Sequence, residues 1–209
     1  MRRFGGALVA AFLLLAARLP AEPCPARGDA VRSDVQTLNV LKNRTAAVTA
    51  ADIDASVTLG ALLAPGNDAR RWTSARGARV IGYVRGVRPG GVESVNCHAR
   101  SVAERDTHIE LTVRATDAFD ERRMVVVEVT PRTRAQAARR GEDWSTAGLR
   151  RDLLGRTVEV TGWLMADTEH AAESANTASR SARHVWRGTM WELHPVTAIR
   201  VVAGNHPSG

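Results

Sequence analysis

Five short stretches of this chain alternate apolar and polar residues with period two, and a helical stretch falls between the third and the fourth. In the first, Ala78 to Val87, the residues Val80, Gly82, Val84 and Gly86 share one side, and the turn Arg88-Pro89-Gly90-Gly91 follows. The second, Asp106 to Arg114, turns Ile109, Leu111 and Val113 one way and Asp106, His108, Glu110, Thr112 and Arg114 the other. Met124 to Thr130 is a valine-rich third strand ended by Pro131, and Thr157 to Met165 a fourth with Val158, Val160 and Leu164 inward. Thr189 to Val202 is the fifth, where Pro195 demands a bulge, a bend or an edge. Between strands three and four, Leu149, Leu153 and Leu154 fit one helix face and Gly155 its C-terminal cap.

One apolar face per strand fits a sheet curled around its own core, a pattern that other small β-barrels share. The order predicts a mainly β fold, a five-stranded Greek-key barrel of the OB-fold type with a helix between strands three and four. The domain is read over residues 57–204, with a disordered tail at 205–209. Ser56 or Thr58 caps a short helix through Leu63, ended by Pro65-Gly66. Five strands are too few for a lipocalin-like barrel.

The N-terminus reads as a signal peptide over residues 1–21. Arg2 and Arg3 precede an apolar run, Ala7 to Ala17, too short to span a bilayer, and Ala21 fits the last residue removed. Retention as an uncleaved anchor is the other outcome. Glu22 and Pro23 argue against lipidation at Cys24, because small residues belong there. Cleavage takes away Arg2, Arg3 and Arg18 and no acid, so the formal net charge falls from +7 to +4. With export, that makes nucleic acid a poor partner and a periplasmic or secreted location the expectation. The mature chain has no second apolar run of membrane length.

Residues 22–56 read as an irregular arm in which Val35 to Leu41 forms a short strand or a turn of helix. The two cysteines, Cys24 and Cys97, either pair in an oxidising compartment or stay separate thiols, and spacing does not choose. Of the 29 basic residues only Lys42 is a lysine.

Several phrases together carry a resemblance: Pro89 to His98, Asp106-Thr107-His108-Ile109-Glu110, Val127 to Pro131, Gly162-Trp163-Leu164, and Gly188 to Thr197. They resemble a family of exported bacterial OB-fold-like proteins of unassigned function, over about residues 57–202. The resemblance implies the fold and the export, and no reaction. The family pattern carries a second cysteine two residues before Cys97, where this chain has Val95.

One constellation points to chemistry. Asp106, His108 and Glu110 leave the same strand face, and Glu128 on the next strand stands opposite. Glu192 and His194 share a face of the last strand, and His98 lies in the turn leading to the His108 strand. Imidazole and carboxylate are the usual ligands of Zn²⁺, so His98, His108, Glu110 and His194 form a candidate metal set with zinc as the possible cofactor. An open coordination position would let such a site hydrolyse an ester or phosphodiester. The competing reading is a structural polar network on a half-exposed strand. Asp167 to His170 reads as a solvated turn.

Asp106, Glu128, Trp163 and Trp191 are candidate ligand contacts, the tryptophans because an exposed indole stacks on bases or sugars. A tryptophan that caps the barrel end or lies under the arm is the commoner case. Trp72, Trp144 and Trp186 fall in loops as anchors, and Arg132, Arg134, Arg139 and Arg140 read as solvated surface. There is no nucleophile elbow, phosphate loop, Cys-x-x-Cys or dinucleotide fingerprint. The leading expectation is therefore a non-catalytic exported binding domain for an unidentified ligand or protein. The alternative is a zinc-type hydrolase or phosphodiesterase.

Overall fold

The computed structural model describes residues 24–178 and 184–202. The expected signal peptide at 1–21, the expected tail at 205–209 and part of the long polar loop lie outside the described residues. Five strands, β1 (Gly77–Pro89), β2 (Thr107–Thr112), β3 (Met124–Val129), β4 (Thr157–Ala166) and β5 (Trp191–Val201), close into a barrel in the order β1-β2-β3-β5-β4. All neighbours are antiparallel except β3 and β5, which run parallel through Val127 and Leu193.

The 13-residue β1 serves two neighbours because it bends. Gly77 to Tyr83 pair with β4, Tyr83 to Pro89 with β2, and the register shifts between Val84 and Gly86. The shift overturns the expected side for Gly86. Val80, Gly82, Val84 and then Val87 are buried, while Gly86 turns outward beneath the Glu110 carboxylate. A Cβ at Gly86 would stand 2.5 Å from Glu110 Oε2, so the missing side chain makes room for that acid.

Ile109 and Leu111 face the core as expected, but β2 ends at Thr112 and Val113 is 47% exposed. In β4 period two holds through Gly162, with Val160 and Leu164 inside and Trp163 turned out, and the register against β5 shifts on either side of Gly162. The corresponding irregularity in β5 falls at the cis His194–Pro195 peptide.

Pro131 ends β3 and also opens a helix. It is the first residue of α3 (Pro131–Arg139; numbered after the two N-terminal helices below), where no N–H is needed, and Thr130 and Thr133 form a reciprocal capping box. Helix α4 (Thr146–Leu153) follows, capped by Ser145 and ended before Gly155 at φ +76°. Leu149 and Leu153 enter the barrel core, whereas Leu154, expected on that face, is 44% exposed. Leu153→Asp should therefore cost about 3–5 kcal/mol in chemical denaturation, as a charge enters an apolar contact. A loss below about 0.5 kcal/mol would place α4 on the surface.

The arm is packed and ordered, with two helices, α1 (Ser33–Lys42) and, just after the arm, α2 (Leu59–Leu62) capped by Thr58. Helix α1 buries Val35, Leu38, Asn39 and Lys42, one face at helical spacing, against β5 and the turn at Ser94–Asn96. A disulfide joins Cys24 to Cys97. Arg132, expected as solvated surface, instead donates to the Cys24 carbonyl at 2.6 Å and to Asn43 Oδ1 at 3.0 Å. Arg134 likewise donates to the carbonyls of Ala103, Arg105 and Trp144. Arg44 donates to the carbonyls of Ser74, Leu164 and His194, tying the end of α1 to β4 and β5. Among the described residues no helix is long and apolar enough to cross a membrane.

Candidate functional site

Strand pairing assembles the site. Residues His108 and Glu128 are direct partners across β2 and β3, and β5 lies on the other side of β3. The outward faces of these strands therefore converge under α1. What was expected as a half-exposed face is buried: His108 is 7% exposed, Glu128 6%, Asp106 3%, Glu192 1% and His194 0%.

His194 is the centre. Its Nδ1 lies 3.3 Å from Glu192 Oε2 and 3.7 Å from Glu128 Oε2, and its Nε2 lies 3.7 Å from Asp106 Oδ2. His108 Nε2 is 3.1 Å from Glu128 Oε1. Asp106, Glu128 and His194 each bring one ligand-type atom to within 4.8 Å of the other two. Burial pushes the Asp106 and Glu128 carboxyls above their ordinary values, and for Glu128 the neighbouring Glu192 and Asp106 push further in the same direction. Burial, helped by Arg88 and Arg187, drives the His108 imidazole well below its ordinary value, which keeps it neutral.

Two buried cations answer these acids. Lys42, delivered by the last turn of α1, reaches Glu93 at 3.3 Å. Burial alone would lower its ammonium, but Asp167, Glu93, Glu128 and Glu192 outweigh burial and hold it above its ordinary value. Arg187, 1% exposed, bridges Asp167 Oδ2 at 3.2 Å and Glu192 Oε1. Asp167 also accepts from His170 at 2.6 Å. Burial opposes ionisation of Asp167, yet His170, Lys42 and Arg187 together hold it well below the carboxylate range.

The hydrogen bond to Asp167 raises His170 above 6.5. A raised histidine contributes stability fully below its unfolded value and loses it as pH rises through its folded value. The depressed Asp167 contributes above its ordinary 3.8 and loses that only in strong acid. The expected result is that His170→Asn lowers the melting temperature at about pH 5.5 and changes it little at about pH 9. Equal losses at both would show that the pair contributes no pH dependence.

The proposed metal residues are not brought together as a set. His98 sits outside the cluster with its Nδ1 2.9 Å from Asp29 Oδ2 and 59% of its side chain exposed. Glu110 pairs with Arg88 at 2.7 Å and Arg85 at 3.7 Å. Only His108 and His194 belong to the network, together with Asp106 and Glu128 from the ligand set. Trp163 donates to the Ala46 carbonyl at 2.8 Å, with the Arg44 guanidinium 5.0 Å above its ring, so the arm covers it. Trp191 is 2% exposed, meets Trp72 edge to face and donates to the Asp68 carbonyl at 2.7 Å. It is a core residue with no open face for stacking.

Sequence reading gave no site role to Lys42 or Arg187, and it read Trp186 as a loop anchor alone. Beside the network opens a cleft of about 470 Å³, lined by Arg88, Glu93, His108, Glu110, His170 and Trp186 among others. The Trp186 ring lies under Arg88 at 5.4 Å and Arg187 at 4.9 Å, and its Nε1 donates to Glu173. Chemically, the interior can hold protons or a cation, and the cleft can hold a polar ligand. Both cysteines are oxidised, so no thiol nucleophile is available. Compared with family models, curated proteins and solved structures, the chain gives no match.

Proposed function

We propose that the chain is an exported OB-fold binding domain, without catalysis of its own, that takes a cationic polar ligand or protein segment in the Trp186 cleft. The observation that carries this reading is the division of the polar residues. Those with chemical potential, Asp106, Glu128, Glu192 and His194, are sealed beneath α1, while the open wall of the same region is a cleft. That wall carries Glu121 and Glu173 as well as Glu93, paired with Lys42, and Glu110, paired with Arg88, with His170 also in the lining. An acid-rich cleft with one indole favours a cationic group.

The barrel order β1-β2-β3-β5-β4 with helices between β3 and β4 supports the OB-fold assignment. The Cys24–Cys97 disulfide supports passage through an oxidising compartment. The signal peptide, its cleavage after Ala21 and the resemblance to exported OB-fold-like proteins belong to the same proposal. The zinc-type hydrolase has one observation in its favour, the approach of Asp106, Glu128 and His194. Their burial leaves a substrate no path to them.

Titration of the mature protein with a short arginine-rich peptide and with an acidic control, followed by tryptophan fluorescence, tests the binding. The reading expects a saturable change with the basic peptide alone, lost in Trp186→Phe. Indifference to both peptides would overturn it.

A further inference from the structure

Two acceptors face each other inside the network with nothing between them. His194 Nδ1 is taken up by the Glu192 carboxylate at 3.3 Å, with Glu128 Oε2 farther off at 3.7 Å. A ring nitrogen so placed carries the proton, which leaves Nε2 as a lone pair. That lone pair points toward Asp106 Oδ2 at 3.7 Å, too far for a hydrogen bond. Nε2 is buried and unpartnered, and on the same carboxylate that it faces through Oδ2 the other oxygen, Oδ1, is unpartnered too. Buried polar atoms without partners are costly. A cation held between Nε2 and the Asp106 carboxylate gives Nε2 its missing partner.

The spacing suits a metal ion. Nitrogen and oxygen ligands lie about 2.0–2.2 Å from zinc, so two ligands of one ion stand roughly 3–4 Å apart. Each of Asp106, Glu128 and His194 offers one atom within 4.8 Å of the others. The carboxylate behind His194, Glu192, is the outer partner that metal-bound histidines ordinarily have. His108 stands in the same outer position to Glu128.

We infer that Asp106, Glu128 and His194 bind one divalent transition-metal ion of the zinc type, as a structural ion that locks the barrel face beneath α1. Burial gives it a structural rather than a hydrolytic role, and it is independent of whether the cleft binds cationic ligands. Elemental analysis and thermal melts of the mature, disulfide-intact protein test it, with zinc, manganese and a strong chelator added in turn. The site predicts close to one equivalent of metal and a melting temperature lowered by chelator and restored by zinc. Asp106→Asn should weaken zinc binding by about tenfold or more, whereas Glu110→Gln, outside the set, should keep full stoichiometry. If Asp106→Asn fails to fold, the wild-type stoichiometry and chelator response decide. Metal-free protein from zinc-supplemented growth, with melting indifferent to chelator and zinc, would overturn the site.

Discussion

Arg187→Met should destabilise the protein by about 3–5 kcal/mol in urea, the cost of breaking a buried ion pair by removing one partner. Arg187 is 1% exposed and bonds two carboxylates that are as buried as itself, Asp167 and Glu192. Methionine fills much of the arginine stem's volume, so the loss would be charge and hydrogen bonds rather than a cavity. Both acids would then have to be protonated or hydrated, and neither is open to water. Arg123→Met provides the contrast. Arg123 pairs with Asp117 at 2.7 Å, but 59% of its side chain is exposed, so that variant should lose only about 0–1 kcal/mol. Similar losses in the two variants would mean that the Arg187 network is hydrated in solution.

The second large effect belongs to the disulfide. Cys24 and Cys97 are separated by 73 residues, and a loop of that size constrains the unfolded chain by roughly 4 kcal/mol on a chain-entropy account. The double variant Cys24→Ser, Cys97→Ser should fall by about 2–5 kcal/mol in chemical denaturation. Part of the loss should precede global unfolding, because α1 is otherwise held by a small buried face, the Lys42–Glu93 pair and side-chain hydrogen bonds from Arg132, Asn43 and Arg44. A loss below about 1 kcal/mol would show that those bonds hold the arm without the crosslink.

The barrel was legible because its signal is apolar and local. Val80, Ile109, Leu111, Val158, Val160 and Leu164 sit inside at the period-two positions read from the chain. The misplacements of Gly86 and Val113 came from a bulge and a strand end, where period two stops applying. The arm was hard to read for another reason. Its buried face is Val35, Leu38, Asn39 and Lys42, and a hydrophobic pattern counts the last two as solvent-facing. With α1 unrecognised as a cover, Asp106, His108 and Glu110 read as an open polar face. The pairing of His108 with Glu128 followed from strand order. The meeting of His194 with Asp106 needed β5 to lie beside β3, a long-range contact that no local pattern encodes. Lys42 carried one available signal: it is the single lysine in a chain with 28 arginines.

That single lysine makes the central claim directly measurable. If α1 seals the polar face, Lys42 is buried at 2% exposure and paired with Glu93. Amine labelling of the native protein, read by mass spectrometry, should then modify the α-amine alone and reach Lys42 only after unfolding. Labelling of native Lys42 as fast as an exposed lysine in a peptide would contradict the account, because the face beneath α1 would then be open to solvent.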